Sequence, residues 1–194
     1  MASTTRRPGG PAFRRALDIS VGAWTIGALL PAGLLIAAAI RLESPGPPMY
    51  GQIRVGLDRS GFRLYKFRSM RHGCPDYPTK SPEDDRITRV GRFLRRFSLD
   101  ELPQMYNLVM GDMTLVGPRP ELLSLLPSYS TAHFRRFDVP PGLTGLWQVS
   151  GRSNLSLGEK LELDLQYVTN RSIRLDARIL IRTPRAVLGG NGAY

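Results

Sequence analysis

The sequence predicts a mainly α protein with a small β-hairpin. An N-terminal re-entrant membrane helix, interfacial amphipathic helices and a cytosol-facing domain make up the expected architecture. Three observations lead there. Residues 19–40, "ISVGAWTIGALLPAGLLIAAAI", form an uncharged run of 22 residues divided by Pro31. Arginines recur on helical stripes at 86–97 and 174–182. Two β-prone runs flank one short turn, and neither βαβ alternation nor a GxGxxG stretch follows, which argues against a Rossmann domain.

At 194 residues the chain suits one domain with an appendage. The expected divisions are a disordered basic tail at 1–12, the membrane helix at 13–42 and one domain at 43–194. The formal net charge of +11, with 27 Lys plus Arg against 16 Asp plus Glu, suits polyanionic partners: nucleic acid, anionic lipid or phosphorylated substrates. Cys74 is the one cysteine. It forms no disulfide within the chain, and this agrees with a reducing, cytosol-facing environment.

A straight helix over 19–40 would run ~33 Å, just enough to cross a bilayer. Two features argue against a plain crossing. Pro31 leaves arms of ~18 and ~14 Å, each reaching about the midplane. Positive charge also flanks both ends, with Arg6, Arg7, Arg14 and Arg15 before the run and Arg41 after it. The positive-inside rule then places both ends in the cytoplasm. A helix broken at Pro31 that dips in and returns satisfies both constraints. The competing assignment is a buried helix of a soluble protein.

The remaining elements follow in order. "MYGQIRVG" and "GFRLYKFRSM" around "LDRSG" predict a hairpin. "HGCPDYPTKSPEDD" is a polar loop. In "RITRVGRFLRRF", Ile87, Val90, Phe93 or Leu94, and Phe97 recur at helical spacing with arginines between them. That pattern is a basic amphipathic helix suited to the headgroup region. A helix follows Pro103 to about Met110. "GDMTLVGPRPE" and "VPPGLTGLWQVSGR" read as shaped loops. "LGEKLELDLQYV" predicts a helix with Leu157, Leu161, Leu165 and Val168 on its apolar stripe. The last helix carries Arg174, Arg178 and Arg182, and Pro184 is expected to end or kink it.

Asp100 and Glu101 lie side by side in "RRFSLDELPQMYN". Ser98 and Glu101 fit a capping box, and acids in a first turn complement the helix dipole. Pro103 disturbs that reading, because it lacks the amide a regular helix needs there and disfavours helical angles at Leu102. An irregular turn holding two carboxylates at a helix entrance results. Taken alone, the stretch fits either a cap or a working acid pair.

Several long motifs occur in one order: "SPGPPMYGQIRVG", "FRLYKFRSM", "DDRITRVGRFLRRFSLDELPQMYNLVMGDMTLVGPRPE", "PPGLTGLWQVSGR", "LDLQYV" and the terminal "GAY". Together they resemble the bacterial sugar transferase family, specifically the small monotopic phosphoglycosyl transferases that act on polyprenyl phosphate. The resemblance covers about Phe13 to Tyr194. It implies that 43–194 is a catalytic domain on the cytoplasmic face of a bacterial inner membrane. It implies a two-step reaction in which Asp100 attacks the β-phosphate of a UDP-sugar, UMP leaves, and polyprenyl (undecaprenyl) phosphate collects the phosphosugar. Mg²⁺ is the implied cofactor, with Asp100 and Glu101 as its implied ligands; holding Asp100 or assisting proton transfer are the alternative roles for Glu101. Lys66, Arg95, Arg119 and Arg152 are the implied phosphate-binding residues, since guanidinium and ammonium groups clamp phosphate oxygens. Asp164 and Asp176 also fall at motif positions, where pairing with arginines is an equal expectation.

Membrane lipids are further partners, a homodimer is left open, and nucleic acid is not expected. The arginines follow apolar stripes rather than an exposed patch with stacking aromatics. Two departures stand out. Leu30 precedes Pro31 where the family often has serine. Asp85 replaces the proline of a D-P-R-I-T motif, which predicts a looser start to the basic helix. The competing functions are a metal-dependent phosphohydrolase using the same acids and a non-enzymatic polybasic membrane adaptor.

Overall fold

The computed structural model describes residues 12–74, 84–151 and 154–188. The basic tail, most of the polar loop, Arg152 and the terminal "GAY" lie outside these residues. Helix α1 spans Ala12–Glu43 and is helical through Pro31, where the sequence reading places a break. Both of its ends are held by the same body of protein. At the N-terminal end Arg14 pairs with Asp176 at 2.7 Å. Arg15 donates to the carbonyls of Leu108, at 2.7 Å, and Val109. Asp18, buried, accepts from the Leu115 amide at 2.8 Å. At the other end Glu43 accepts from the Arg89 and Val90 amides at 2.7 and 2.9 Å, and Ile40 packs with Phe67 and Leu94. Between these anchorages Trp24, Leu30, Leu34 and Leu35 are 56–73% exposed, so one face of the apolar middle of α1 has no protein cover.

The predicted hairpin is present. Strands β1 (Met49–Val55) and β2 (Gly61–Phe67) pair antiparallel, with Met49 opposite Phe67 and Val55 opposite Gly61. The free edge of β2 is occupied by a side chain. Asn107, fully buried, takes the Tyr65 amide and donates to the Arg63 carbonyl at 2.7 Å. An amide side chain can imitate a strand in this way, and it satisfies backbone groups that burial would otherwise leave unpaired.

Helix α2 (Arg89–Arg96) begins at Thr88, whose hydroxyl accepts from the Gly91 amide at 2.9 Å. The Glu43 carboxylate covers two more of its free amides, where negative charge also complements the helix dipole. The start expected to be loose is pinned: Asp84 binds both the amide and the guanidinium of Arg86. The predicted apolar stripe divides. Ile87 and Leu94 are buried, while Phe93 and Phe97 are exposed and lie edge to face, 5.1 Å apart.

Helix α3 (Gln104–Met110) ends at Gly111, whose φ of +86° closes the last turn. Its final carbonyls meet the Arg15 guanidinium, a cation at the negative end of the helix.

The two Gly/Pro loops contain strands the sequence reading did not assign. Strand β3 (Thr114–Val116) pairs parallel with β5 (Gly142–Thr144), and β4 (Glu121–Leu122) extends the hairpin sheet beside β1. Two or three residues give no readable alternation. Close approach is what builds the parallel pair: a Cβ on Gly142 would stand 2.0 Å from the Gly117 nitrogen.

Helix α4 (Leu157–Thr169) has a true capping box between Ser156 and Glu159. It buries Leu161, Asp164 and Tyr167, whereas Leu157, expected on the buried stripe, is 42% exposed. Helix α5 (Ile173–Leu188) continues through Pro184 rather than ending there. Arg174, Arg178 and Arg182 are exposed on it, beside exposed Ile173 and Ile181. The main core joins α3, β3, α4 and α5 through Met105, Leu108, Leu115, Val116, Tyr167 and Ile179.

Gly91 offers a sharp test of this packing. A Cβ there would stand 1.9 Å from the Ser69 carbonyl oxygen, whereas one on Gly158 meets nothing within 4 Å. Gly91→Ala is expected to destabilise by about 3 kcal/mol or more, as forced overpacking does. Gly158→Ala should gain about 0.5–1 kcal/mol from helix propensity. Thermal unfolding in detergent or nanodiscs reads both, and equal melting temperatures for the two variants would refute the packing at Ser69.

Candidate active site

Ser98 reverses the chain after α2. Its backbone is left-handed, φ 55° and ψ 24°, and its hydroxyl makes no cap bond. The predicted capping box at Ser98–Glu101 is therefore absent. The left-handed residue turns the chain instead, and the Glu101 side chain is drawn elsewhere. Leu99–Glu101 form one 3-10 turn, and Pro103 leads into α3 with φ −62°. Leu102, expected away from helical angles, keeps φ −51° and ψ −39°. A tight 3-10 turn accommodates the proline, because the amide that proline lacks has no partner to lose at a helix start.

The turn sends its two acids into different surroundings. Glu101 gathers two cations: Oε1 accepts from Lys66 Nζ at 2.8 Å and from Arg119 Nη2 at 2.5 Å. Lys66 arrives from β2, and Arg119 from the loop between β3 and β4. Asp100 is 8% exposed and accepts no hydrogen bond from a described residue. Arg95, at the end of α2, is tied to the Ser69 hydroxyl at 2.8 Å and adds positive charge near Asp100.

These surroundings separate the two carboxyls electrostatically. Burial pushes the Asp100 carboxyl above its usual value. Lys66, Arg95 and Arg119 oppose that rise, and the Glu101 charge adds to it. Burial alone would raise Glu101 too, but the Arg119 and Lys66 charges overcome it and hold that carboxyl well below the ordinary range. Glu101 is thus a fixed anion, while Asp100 is a desolvated carboxylate with unused lone pairs, which favours nucleophilicity over structural pairing.

Asp100, Glu101, Lys66, Arg95 and Arg119 line one groove of about 1070 Å³. The structure brings these five predicted residues together. Arg152 lies outside the described residues, and Pro31 sits in the exposed stretch of α1. Asp164 and Asp176 prove to be arginine partners: Asp164 of Arg136 at 2.6 Å and Asp176 of Arg14.

No three His, Cys, Asp or Glu side chains converge as a metal cage among the described residues. The donor set nonetheless fits a magnesium ion. That ion keeps several waters and commonly takes one or two carboxylates plus substrate phosphate. Asp100 has the free oxygens for such a role, whereas Glu101 is engaged by two cations.

One cluster escaped the sequence reading. Arg136, 3% exposed, binds Glu121, Asp164, the Tyr129 hydroxyl and the Arg119 carbonyl. Burial pushes the Asp164 carboxyl up to about 7 despite the Arg136 charge. In sequence Arg136 is one of two adjacent arginines in "FRRFD", and no local pattern marks it.

A family model described as bacterial sugar transferase matches residues 10–190. A relative in Bacillus subtilis, an uncharacterized sugar transferase EpsL, is 40% identical over 93% of this chain and 89% of its own length. The UDP-glucose:undecaprenyl-phosphate glucose-1-phosphate transferase of Caulobacter vibrioides is 40% identical over 98% of this chain and 78% of its own. A UDP-N-acetylgalactosamine-undecaprenyl-phosphate N-acetylgalactosaminephosphotransferase of Aeromonas hydrophila is 38% identical over 93% of this chain, but the match covers 45% of that longer protein.

Proposed function

This chain belongs to the bacterial sugar transferase family, and from that premise we propose that it transfers a sugar-1-phosphate from a UDP-sugar to polyprenyl phosphate through a covalent intermediate on Asp100. The observation that carries the reading is the asymmetry of the acid pair. Asp100 is buried, without a hydrogen bond to a described residue, and opens on the groove, while Glu101 holds Lys66 and Arg119 beside it.

The roles follow from charge. A carboxylate attacking a diphosphate meets like charge, about 4 kcal/mol for two unit charges 4 Å apart at an effective dielectric of 20. Uncorrected, that is roughly a thousandfold in rate. Lys66, Arg95 and Arg119 face this charge as ammonium and guanidinium donors, and Arg152 is proposed from its motif as a further one. Asp100 would hold Mg²⁺, and the ion would supply neutralisation of phosphate charge. An Asp100 oxygen attacks the β-phosphorus, the bond to the α-phosphate oxygen breaks, and UMP leaves with that electron pair. A polyprenyl phosphate oxygen then attacks the same phosphorus and releases the Asp100 carboxylate. Glu101 fixes the two cations and keeps their charge beside the nucleophile.

The two anchorages of α1 support the re-entrant reading. Both ends of the helix bond to one domain, as a segment with both ends on one side of a bilayer requires, and the exposed apolar middle is the part offered to lipid. We place the domain on the cytoplasmic face of the bacterial inner membrane, with Phe93, Phe97 and the α5 arginines at the headgroups. The relatives are named for different sugars, so the shared motifs set the reaction and leave the sugar to other positions.

A panel of UDP-sugars with Mg²⁺ and polyprenyl phosphate, scored by UMP release, tests the activity. Asp100→Asn is expected to lose at least a thousandfold in rate and any single-turnover burst of UMP. Full activity in that variant, or UMP release through many turnovers without the lipid acceptor, would overturn the proposal.

The ionised Asp100 is the working form and burial raises its carboxyl. Activity should therefore fall, as the pH drops, through a midpoint above the ordinary carboxylate value of about 3.9. Glu101→Gln removes a neighbouring anion and frees two cations, and both changes should move that midpoint down. In sealed cells, cysteine labels at Phe13 and Glu43 should both resist an impermeant reagent. Labelling of either from outside would refute the topology.

A further inference from the structure

We propose that Arg136 is a positioning residue for this reaction: its guanidinium grips the Arg119 loop through the Arg119 carbonyl and the Glu121 carboxylate, and so fixes the Arg119 side chain on Glu101. The inference rests on the Asp100–Glu101 groove being the reacting centre.

The loop needs an external hold. Arg119 stands between Pro118 and Pro120, and neither proline has an amide to donate. Backbone bonds hold the loop up to Pro118, where the Gly117 amide donates to the Thr144 carbonyl at 2.9 Å and the Pro118 carbonyl accepts from the Gly142 amide at 2.8 Å; beyond it the Arg119 and Pro120 carbonyls are held by side chains. The Arg119 carbonyl accepts from Arg136 Nη2 at 2.9 Å, and the Pro120 carbonyl from Arg54 Nη1 at 3.3 Å. The residue after Pro120 is held by the same cation, with Arg136 Nη1 donating to Glu121 Oε2 at 2.8 Å. Tyr129 closes the figure by donating its hydroxyl to that same Glu121 oxygen at 2.7 Å. One guanidinium therefore clamps both sides of Pro120. The Arg119 side chain leaves the clamped segment on the groove side and reaches Glu101.

Arg136 borders the groove, but both of its Nη atoms are taken by protein acceptors, so its influence on the reaction passes through Arg119. The cluster is also not arranged for greatest stability. Asp164 Oδ1 and Arg136 Nε are buried with no hydrogen-bond partner among the described residues, and a buried ion network often gains little over an apolar one. Directional grip is what this network supplies. A guanidinium presents five donors in a rigid plane, and here four acceptors use it: Glu121, Asp164, the Arg119 carbonyl and the Tyr129 oxygen. An ammonium has three donors around a point and does not reproduce that set.

A double-mutant cycle on the whole protein in nanodiscs tests this, with kcat/KM for the best UDP-sugar as the readout. Arg136→Lys is expected to lower kcat/KM at least tenfold. Arg119→Ala should cost a hundredfold or more in the parent protein and less in the Arg136→Lys background by about the factor that Arg136→Lys itself costs, so that the double variant falls no further than Arg119→Ala alone, because residues acting as one unit are non-additive. Glu121→Gln, which keeps shape and removes one grip, should show the same non-additivity with a smaller loss, and it serves if Arg136→Lys does not fold. Equal costs of Arg119→Ala in both backgrounds would overturn the proposal.

Hydrogen exchange supplies an arm independent of turnover. Amides of Gly117, Arg119 and Glu121 should exchange at least tenfold faster in Arg136→Lys while α3 and α4 keep their protection. Unchanged exchange in that loop would overturn it equally. If the parent protein transfers no sugar phosphate from any donor, the functional reading fails and the exchange result alone decides the clamp.

Discussion

The ion pairs of Glu101 with Lys66 and Arg119 are the constraint on which the site depends. They join three elements far apart in sequence: the end of β2, the 3-10 turn after α2 and the proline-flanked loop between β3 and β4. Each cation retains some exposure, so the contact is not a deep-core bridge, and solvent screening limits its worth as pure stabilisation. Its consequence is electrostatic. Glu101 gathers positive charge at the mouth of the groove and stays ionised, and Asp100 beside it is left desolvated and free. Two adjacent residues of one type thereby acquire opposite characters, and their environments alone make the difference.

The same logic of buried polar anchors runs through the rest of the molecule. Asn107 stands in for a strand at the edge of β2. Arg136 holds the backbone of a loop that has prolines where amides are needed. On α1, otherwise apolar, Arg14, Arg15 and Asp18 spend their charge and hydrogen bonds on α3, β3 and α5, and Glu43 caps α2. Apolar packing alone does not fix how an exposed apolar helix meets the rest of the protein. Hydrogen bonds at both ends do fix it, and they register α1 against the elements that carry Lys66, Arg95 and Asp100.

Much of this was legible from local pattern. The apolar run, the hairpin, α3 and α4 each rest on contiguous residues whose period or flanking turn signals suffice. The five residues that line the groove were singled out because they sit inside long motifs. Other features were not. The β3–β5 pair consists of three-residue strands whose pairing depends on two glycine backbones meeting across 25 residues of chain. The stripe on α2 was legible as a period but not as a single face, because Ile87 and Leu94 are buried while Phe93 and Phe97 stay exposed. The box at Ser98 misled. The pattern is local, while the pull on Glu101 comes from Lys66 and Arg119, and charged partners outweigh a cap bond. The Ser156–Glu159 box has no such competitor and forms.

The sequence by itself determined the family, the helices and hairpin, and the place of the acid pair, because those are written in neighbouring residues: hydrophobic period, turn chemistry and contiguous motifs. Only the tertiary structure decided which acid is free and which is bound, that both ends of α1 return to one domain, and that Arg136 lies beneath Arg119. These are facts about distances between residues 15 to 162 positions apart. Desolvation and Coulomb energy depend on such distances, and no local pattern encodes them.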